Sequence, residues 1–250
     1  MTDLSLAADR FVEGDFRVGR VLNRTFSLLS RHFLTFFVVT AVAYVPTLLI
    51  IQASAFADSR SLSAVALTLV ASFLAVVLGM LSQAVVLYGA FQDMRRRPVS
   101  LAESLKVGLR RVMPVVAIGI IVVVLVSFGI ILFVVPGLIL FAKWSVAIPV
   151  CVVERLGPSA SLARSSELTK GHRWKIFGLM LLLFIIGSVV SPALDEMVSL
   201  VGGTTLTVIV SLLWNGVWGA FSAIAVVVTY HDLRVAKEGV SIDEIAAVFD

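Results

Sequence analysis

The sequence predicts an all-α fold: a polytopic membrane helix bundle of about six spans, with amphipathic helices on its cytoplasmic side. Three observations carry that prediction. The composition is 59% hydrophobic and only 14% charged, with a mean hydropathy of +1.04. So few charges cannot clothe a water-soluble surface, but they suffice for a lipid-facing one. Apolar runs of bilayer-crossing length recur along the chain, and the basic residues fall almost wholly on one side of them.

A spanning helix needs about 20 mostly apolar residues at a rise of about 1.5 Å each. Residues 33–57 form the first such run, ended by Asp58 and Arg60. Its length exceeds the apolar region of a cleaved signal, so it is read as a span. Residues 62–92 are a second uncharged run, long enough to tilt or to protrude. A basic break, Arg95-Arg96-Arg97-Pro98, follows it. The third run, 112–135, stops at Pro136-Gly137, a pair that breaks helices and makes turns. The fourth, 138–153, is short and holds Lys143, the only charge inside any span. The fifth, 176–194, is closed by Asp195 and Glu196, and the sixth covers 205–229. The chain thus divides into an N-terminal segment (1–32), a six-span membrane domain (33–230) and a C-terminal tail (231–250).

Eighteen of the 20 lysines and arginines lie in the N-terminal segment, the second-to-third and fourth-to-fifth connections, and the tail. Arg60 and Lys143 are the exceptions. Basic connections are retained in the cytoplasm, which places both termini there. The single cysteine, Cys151, excludes an internal disulfide and a Cys-rich metal site, and is read as a packed small residue.

Each pair of spans is preceded by a segment with helical periodicity, so that three repeats of helix plus hairpin suggest themselves. In the first, Arg17, Arg20, Arg24 and Arg31 share one face, and Val18, Val21, Leu22, Phe26, Leu28 and Leu29 the other. A basic face backed by an apolar one suits a helix lying on an anionic membrane surface. The second opens with a capping box, Ser100-x-x-Glu103, and carries Leu101, Leu105 and Leu109 on one side. The third follows Pro158, and Gly171 is its expected C-terminal stop. Leu22-x-Arg24-Thr25-x-x-Leu28-x-x-x-His32 aligns without gaps with Leu162-x-Arg164-Ser165-x-x-Leu168-x-x-x-His172. A last capping box, Ser241-x-x-Glu244, predicts a short tail helix.

Pro136-Gly137, Lys143 with Pro149, Glu154 with Gly157, Leu162-x-Arg164-Ser165, Leu168-Thr169-Lys170-Gly171, Trp174 and Tyr230-x-Asp232-Leu233-Arg234 form a pattern. In these residues the chain resembles the YciC-type bacterial inner membrane proteins and the membrane domain attached to some glycerophosphoryl diester phosphodiesterases. The resemblance covers roughly two fifths of the chain and implies the bacterial inner (plasma) membrane as its location. It implies no enzymatic role, because the carboxylate and histidine clusters of a metal-dependent phosphodiesterase do not accompany it.

Lys143 admits two readings. An intramembrane charge is a ligand-site candidate, but a lysine about 9 Å beyond the Gly137 turn can also snorkel to the outer interface beside Trp144. Arg24, Arg164, Lys170 and Arg173 are candidates for a phosphate or lipid-headgroup site. The competing reading is that such charges pair, as Arg24 and Arg164 would with Glu154 and Glu167, to tie surface helices to spans. His32, His172 and His231 lack metal-ligand spacing, so no metal or other cofactor is expected. In the sixth span, Trp214, Asn215 and Trp218 alternate with small residues and are read as packing positions, with Asn215 able to bond across helices.

The function expected is non-enzymatic: a lipid-interacting or scaffolding protein whose partners are anionic membrane lipids, with a protein partner or a second copy of the chain also open, and no nucleic acid. The alternative is a small-solute transporter or channel. No Asp or Glu falls within the spans as drawn, which removes the usual proton or sodium carriers from that alternative.

Overall fold

A computed structural model describes residues 16–56, 62–95 and 97–238. The described residues form helices and no strand: α1 (Val18–Arg31), α2 (Phe33–Phe56), α3 (Leu62–Met94), α4 (Leu101–Leu132), α5 (Val134–Trp144), α6 (Ala147–Val153), α7 (Pro158–Thr169) and α8 (Arg173–Glu238). The tail helix expected after Ser241, the N-terminal residues before Phe16, and Asp58 and Arg60 lie outside the described residues.

Among the described residues, five stretches are long and apolar enough to cross a membrane, the α5–α6 pair counted as one of them. The last of the five, α8, is 66 residues long and breaks at Gly203, where φ is 64° and ψ −171°. Its two arms fold back on each other, so the molecule is a polytopic helical bundle, as its composition dictates. Many large apolar side chains stay exposed along α2, α3, α4 and the first arm of α8, among them Leu34, Phe73, Ile131 and Phe184. That is the surface a lipid solvent leaves uncovered.

Glycines let side chains of neighbouring helices pack against bare backbone. On α8, a side-chain carbon at Gly187 would sit 2.6 Å from the Trp218 indole of the returning arm, and one at Gly216 would sit 2.7 Å from the Phe37 ring of α2. Small residues at such points let helices gain dispersion contact where lipid offers no hydrophobic drive. The best-buried region, which includes Val86, Ile118, Val150, Leu168, Ile176 and Ile224, joins α3, α4, α6, α7 and the two ends of α8.

Several sequence expectations are met. Ser100 caps α4, accepting from the Glu103 amide at 3.3 Å. The reciprocal bond comes from a different residue: Gln92 Oε1 accepts from the Ser100 amide at 3.1 Å. Gly171, at φ 93°, follows the end of α7 in the left-handed region glycine adopts at no steric cost. Cys151 is buried in α6. The second run forms one continuous helix, α3, of 33 residues, long enough to tilt or to protrude.

Other boundaries differ. The turn after the third run lies at Phe133, whose backbone is extended (φ −154°, ψ 132°), and not at Pro136-Gly137. Pro136 falls in the first turn of α5, where the amide it lacks has no intrahelical partner anyway. Gly137 instead serves close packing, because a side-chain carbon there would meet the Ile130 backbone nitrogen at 2.6 Å. The fourth run is two helices, with Ser145 and Val146 interrupting it. The fifth does not close at Asp195; α8 runs on to the break at Gly203.

Candidate functional site

Most of the described charged residues with bonded partners cluster where α1, the C-terminal end of α3, the N-terminal end of α4, α6, α7 and the C-terminal end of α8 meet. Arg164 of α7 donates to Glu154 at 3.3 Å, lies 3.7 Å from Glu167 and pairs with Glu238 at the end of α8. Tyr230 donates to the other Glu154 oxygen at 2.9 Å, and Arg234 reaches Glu238 at 2.8 Å. Arg24 of α1 pairs with Asp232 at 3.4 Å and contacts His231 Nδ1 at 3.2 Å. His32 meets Asp93 at 2.8 Å. These bonds tie the segments preceding α2 and α8 to the ends of α3 and α8, as the pairing reading anticipates for Arg164, whereas Arg24 takes Asp232 and not Glu154 or Glu167. They also neutralise Arg24 and Arg164 with carboxylates.

The four arginine and lysine candidates are therefore distributed over different surroundings. Arg173 lines an apolar cavity of about 240 Å³ with Ala142, Trp174 and Phe177. Lys170 caps the C-terminus of α7, its amide donating to Glu167 O at 3.2 Å. The apolar face of α1 is largely covered by protein: Val21, Leu28 and Leu29 are buried, and only Phe26 of that set is well exposed.

Lys143 is the penultimate residue of α5, and its side chain lies over the Trp144 ring at 5.4 Å. Its backbone carbonyl, freed by the helix break, accepts from Ser165 Oγ at 2.9 Å and Thr169 Oγ1 at 3.2 Å. Those hydroxyls belong to α7, so Lys143 is bonded to the third amphipathic segment. An interrupted helix in a membrane needs such replacement partners, because lipid supplies none.

A cavity of about 250 Å³ opens where α3 ends and α6 turns into α7. Arg95, Arg97 and Arg155 border it, with Gln92, Ser100 and Glu103 beside them and Phe91, Val152 and Val153 forming apolar wall. Both Glu103 oxygens are engaged, one by Tyr88 Oη at 2.9 Å and the other by Gln92 Nε2 at 2.8 Å. Arg95 lies over the Phe91 ring at 5.8 Å. Arg155 holds φ at 57°, a left-handed conformation that costs a non-glycine residue about 1–2 kcal/mol. Sequence reading found these arginines only as orientation signals. The strain at Arg155 and its meeting with Arg95 leave no mark in the sequence.

At the other end of the α8 hairpin, the packing expectation is met in part. Trp214 stacks on Trp218 at 5.6 Å and donates to Ser191 Oγ at 2.7 Å. Asn215, however, donates to Ser211 O of its own helix at 2.8 Å and not across helices. Asp195 accepts from Ser211 Oγ. Together they border a cavity of about 410 Å³ that Tyr44 and Leu48 of α2 close from the other side. Among the described residues no group of three His, Cys, Asp or Glu side chains is placed to hold a metal ion.

Compared with known proteins, the chain matches no family model, no curated sequence and no solved structure. The resemblance noted for residues 136–234 thus rests on its own residues.

Proposed function

We propose that this chain is a non-enzymatic protein of the bacterial inner membrane, its charged end facing the cytoplasm, that holds the phosphate-bearing headgroup of an anionic lipid. The observation that carries the reading is the cavity bordered by Arg95, Arg97 and Arg155. Three arginines line it, and the Glu103 carboxylate that lines it with them already accepts from Tyr88 and Gln92. Arginine presents planar paired donors that match phosphate oxygens, and such charge-assisted bonds are about twice as strong as neutral ones. The apolar wall of Phe91, Val152 and Val153 gives the glycerol and upper acyl region a surface to lie on. Alongside, Leu101, Leu105 and Leu109 of α4 are exposed next to Lys106 and Arg110, a stripe suited to the lipid interface.

Arg155 supplies the test, because its backbone and its side chain make opposite demands. Arg155→Gly relieves the left-handed strain and removes the guanidinium. The variant should unfold at a temperature equal to or above that of the parent. Extracted into native-lipid particles, it should retain less phosphatidylglycerol and cardiolipin by mass spectrometry, as should Arg95→Gln. An unchanged lipid complement in both variants would overturn the reading.

A further inference from the structure

We infer that the Asp195 cavity is a binding site for a small organic ammonium ion, one bearing a short apolar body. The cavity is separate from the arginine cavity, and the inference does not depend on the headgroup reading.

Depth comes first. Tyr44, which lines the cavity, lies midway along α2 (Phe33–Phe56), about 17 Å from either end at 1.5 Å per residue. Hydropathy puts Asp195 at the outer rim of the fifth run. Since α8 continues to Gly203, the carboxylate instead faces the middle of a neighbouring spanning helix. A carboxylate at such depth is costly to keep charged without a partner, and intramembrane acidic groups mark binding sites and ion pathways.

The second observation is the polarity of the lining. Ser199 Oγ donates to Glu196 O at 2.8 Å, Thr207 Oγ1 donates to Gly203 O at 3.0 Å, and Ser211 Oγ donates to Asp195. A hydroxyl has one proton, so these three can offer the cavity only lone pairs. Asp195, with one such bond, retains acceptor capacity as well. The site is thus rich in acceptors, with the Asp195 carboxyl group among them. A cation with several N–H donors, such as a primary ammonium group, complements these acceptors.

Size and walls narrow the class further. About 410 Å³ falls within the range of small-molecule pockets, about 300–1,000 Å³, and far exceeds the coordination space of a bare metal ion. Tyr44 gives an aromatic face and Leu48 and Val208 an apolar wall, so a cationic head and a hydrocarbon body are both accommodated. The lining extends from Gly203 and Thr204 at the helix break down two turns of α8 to Asp195 and Ser211, which provides a route from the hairpin tip.

The test uses the full chain in particles of neutral phosphatidylcholine, with phenethylammonium as probe and 2-phenylethanol as its uncharged counterpart. Phenethylammonium should bind saturably, followed by tryptophan fluorescence and by a raised unfolding temperature, and the alcohol should do neither. Asp195→Asn keeps an acceptor for Ser211, and should weaken amine binding about tenfold or more. Should that variant fail to fold, Ser199→Ala combined with Thr207→Val removes two acceptors and should weaken binding as well. Equal stabilisation by the alcohol, undiminished amine affinity in the variant that folds, or complete displacement of the amine by sodium ions would each overturn the inference.

Discussion

The unbroken helices α2, α3 and α4 contrast with the broken elements α5–α6 and α8. The first three are continuous rods of 24, 33 and 32 residues, and large apolar side chains are exposed along each of them. Pro46 and Pro114 lie inside α2 and α4 without interrupting them. The other elements are interrupted at Ser145–Val146, turned at Arg155 and bent at Gly203, and each interruption has polar groups beside it. Ser165 and Thr169 satisfy the carbonyl at the first, Arg155 itself lines a cavity at the second, and Asp195 lies two turns below the third. An unbroken helix satisfies its own backbone and gives the membrane interior little polar chemistry. A broken one must recruit side-chain partners, and those partners form places where a ligand can be held.

That contrast is broken most sharply at Gly137. A side-chain carbon there would lie 2.6 Å from the backbone nitrogen of Ile130, and backbone cannot move aside cheaply. Gly137→Val should separate α5 from α4 and cost about 3 kcal/mol or more, seen as a large fall in unfolding temperature and in yield from the membrane. A variant of parental stability would show that the hairpin contact is dispensable.

A middle-sized effect is expected from the carbonyl of Lys143. Ser165→Ala together with Thr169→Val leaves it without either hydroxyl, at a cost of about 1–3 kcal/mol. Lys143→Leu removes only a side chain that lies over Trp144, and should cost under about 1 kcal/mol. Thermal unfolding of both variants ranks the backbone role of this residue against its charge. A lysine variant as damaged as the double variant would return weight to the side chain.

The smallest effect belongs to the unbroken half. Gly79 lies within α3 with open space where a side-chain carbon would sit. Gly79→Ala should therefore stabilise the protein by about 0.5–1 kcal/mol, through helix propensity alone. A loss of stability at Gly79 would show that the space beside this position is occupied after all.

The sequence by itself determined the class of solvent, the helical bundle, the basic bias of the connections and several local stops. Each of these depends on composition or on neighbours within about one helical turn. Apolar runs must be helical in lipid, Ser100 three residues before Glu103 can reach its amide, and Gly171 accepts a left-handed conformation. Tertiary structure alone decided the rest. Pro136-Gly137 carries the same turn signal whether it forms the turn or the packing contact after it, and only the approach of α4 settles which. Asp195 looks like the end of a span in a linear plot, because hydropathy cannot tell that Ser211 and Tyr44 will stand opposite it. The basic residues could likewise be counted but not sorted. Arg24 and Arg164 found carboxylates, whereas Arg95, Arg97 and Arg155 came together at one cavity. Which side chains share a cavity depends on the register between helices far apart in the chain. That register is set by close contacts at positions such as Gly137, Gly187 and Gly216, where the absence of a side chain lets a neighbouring helix come close.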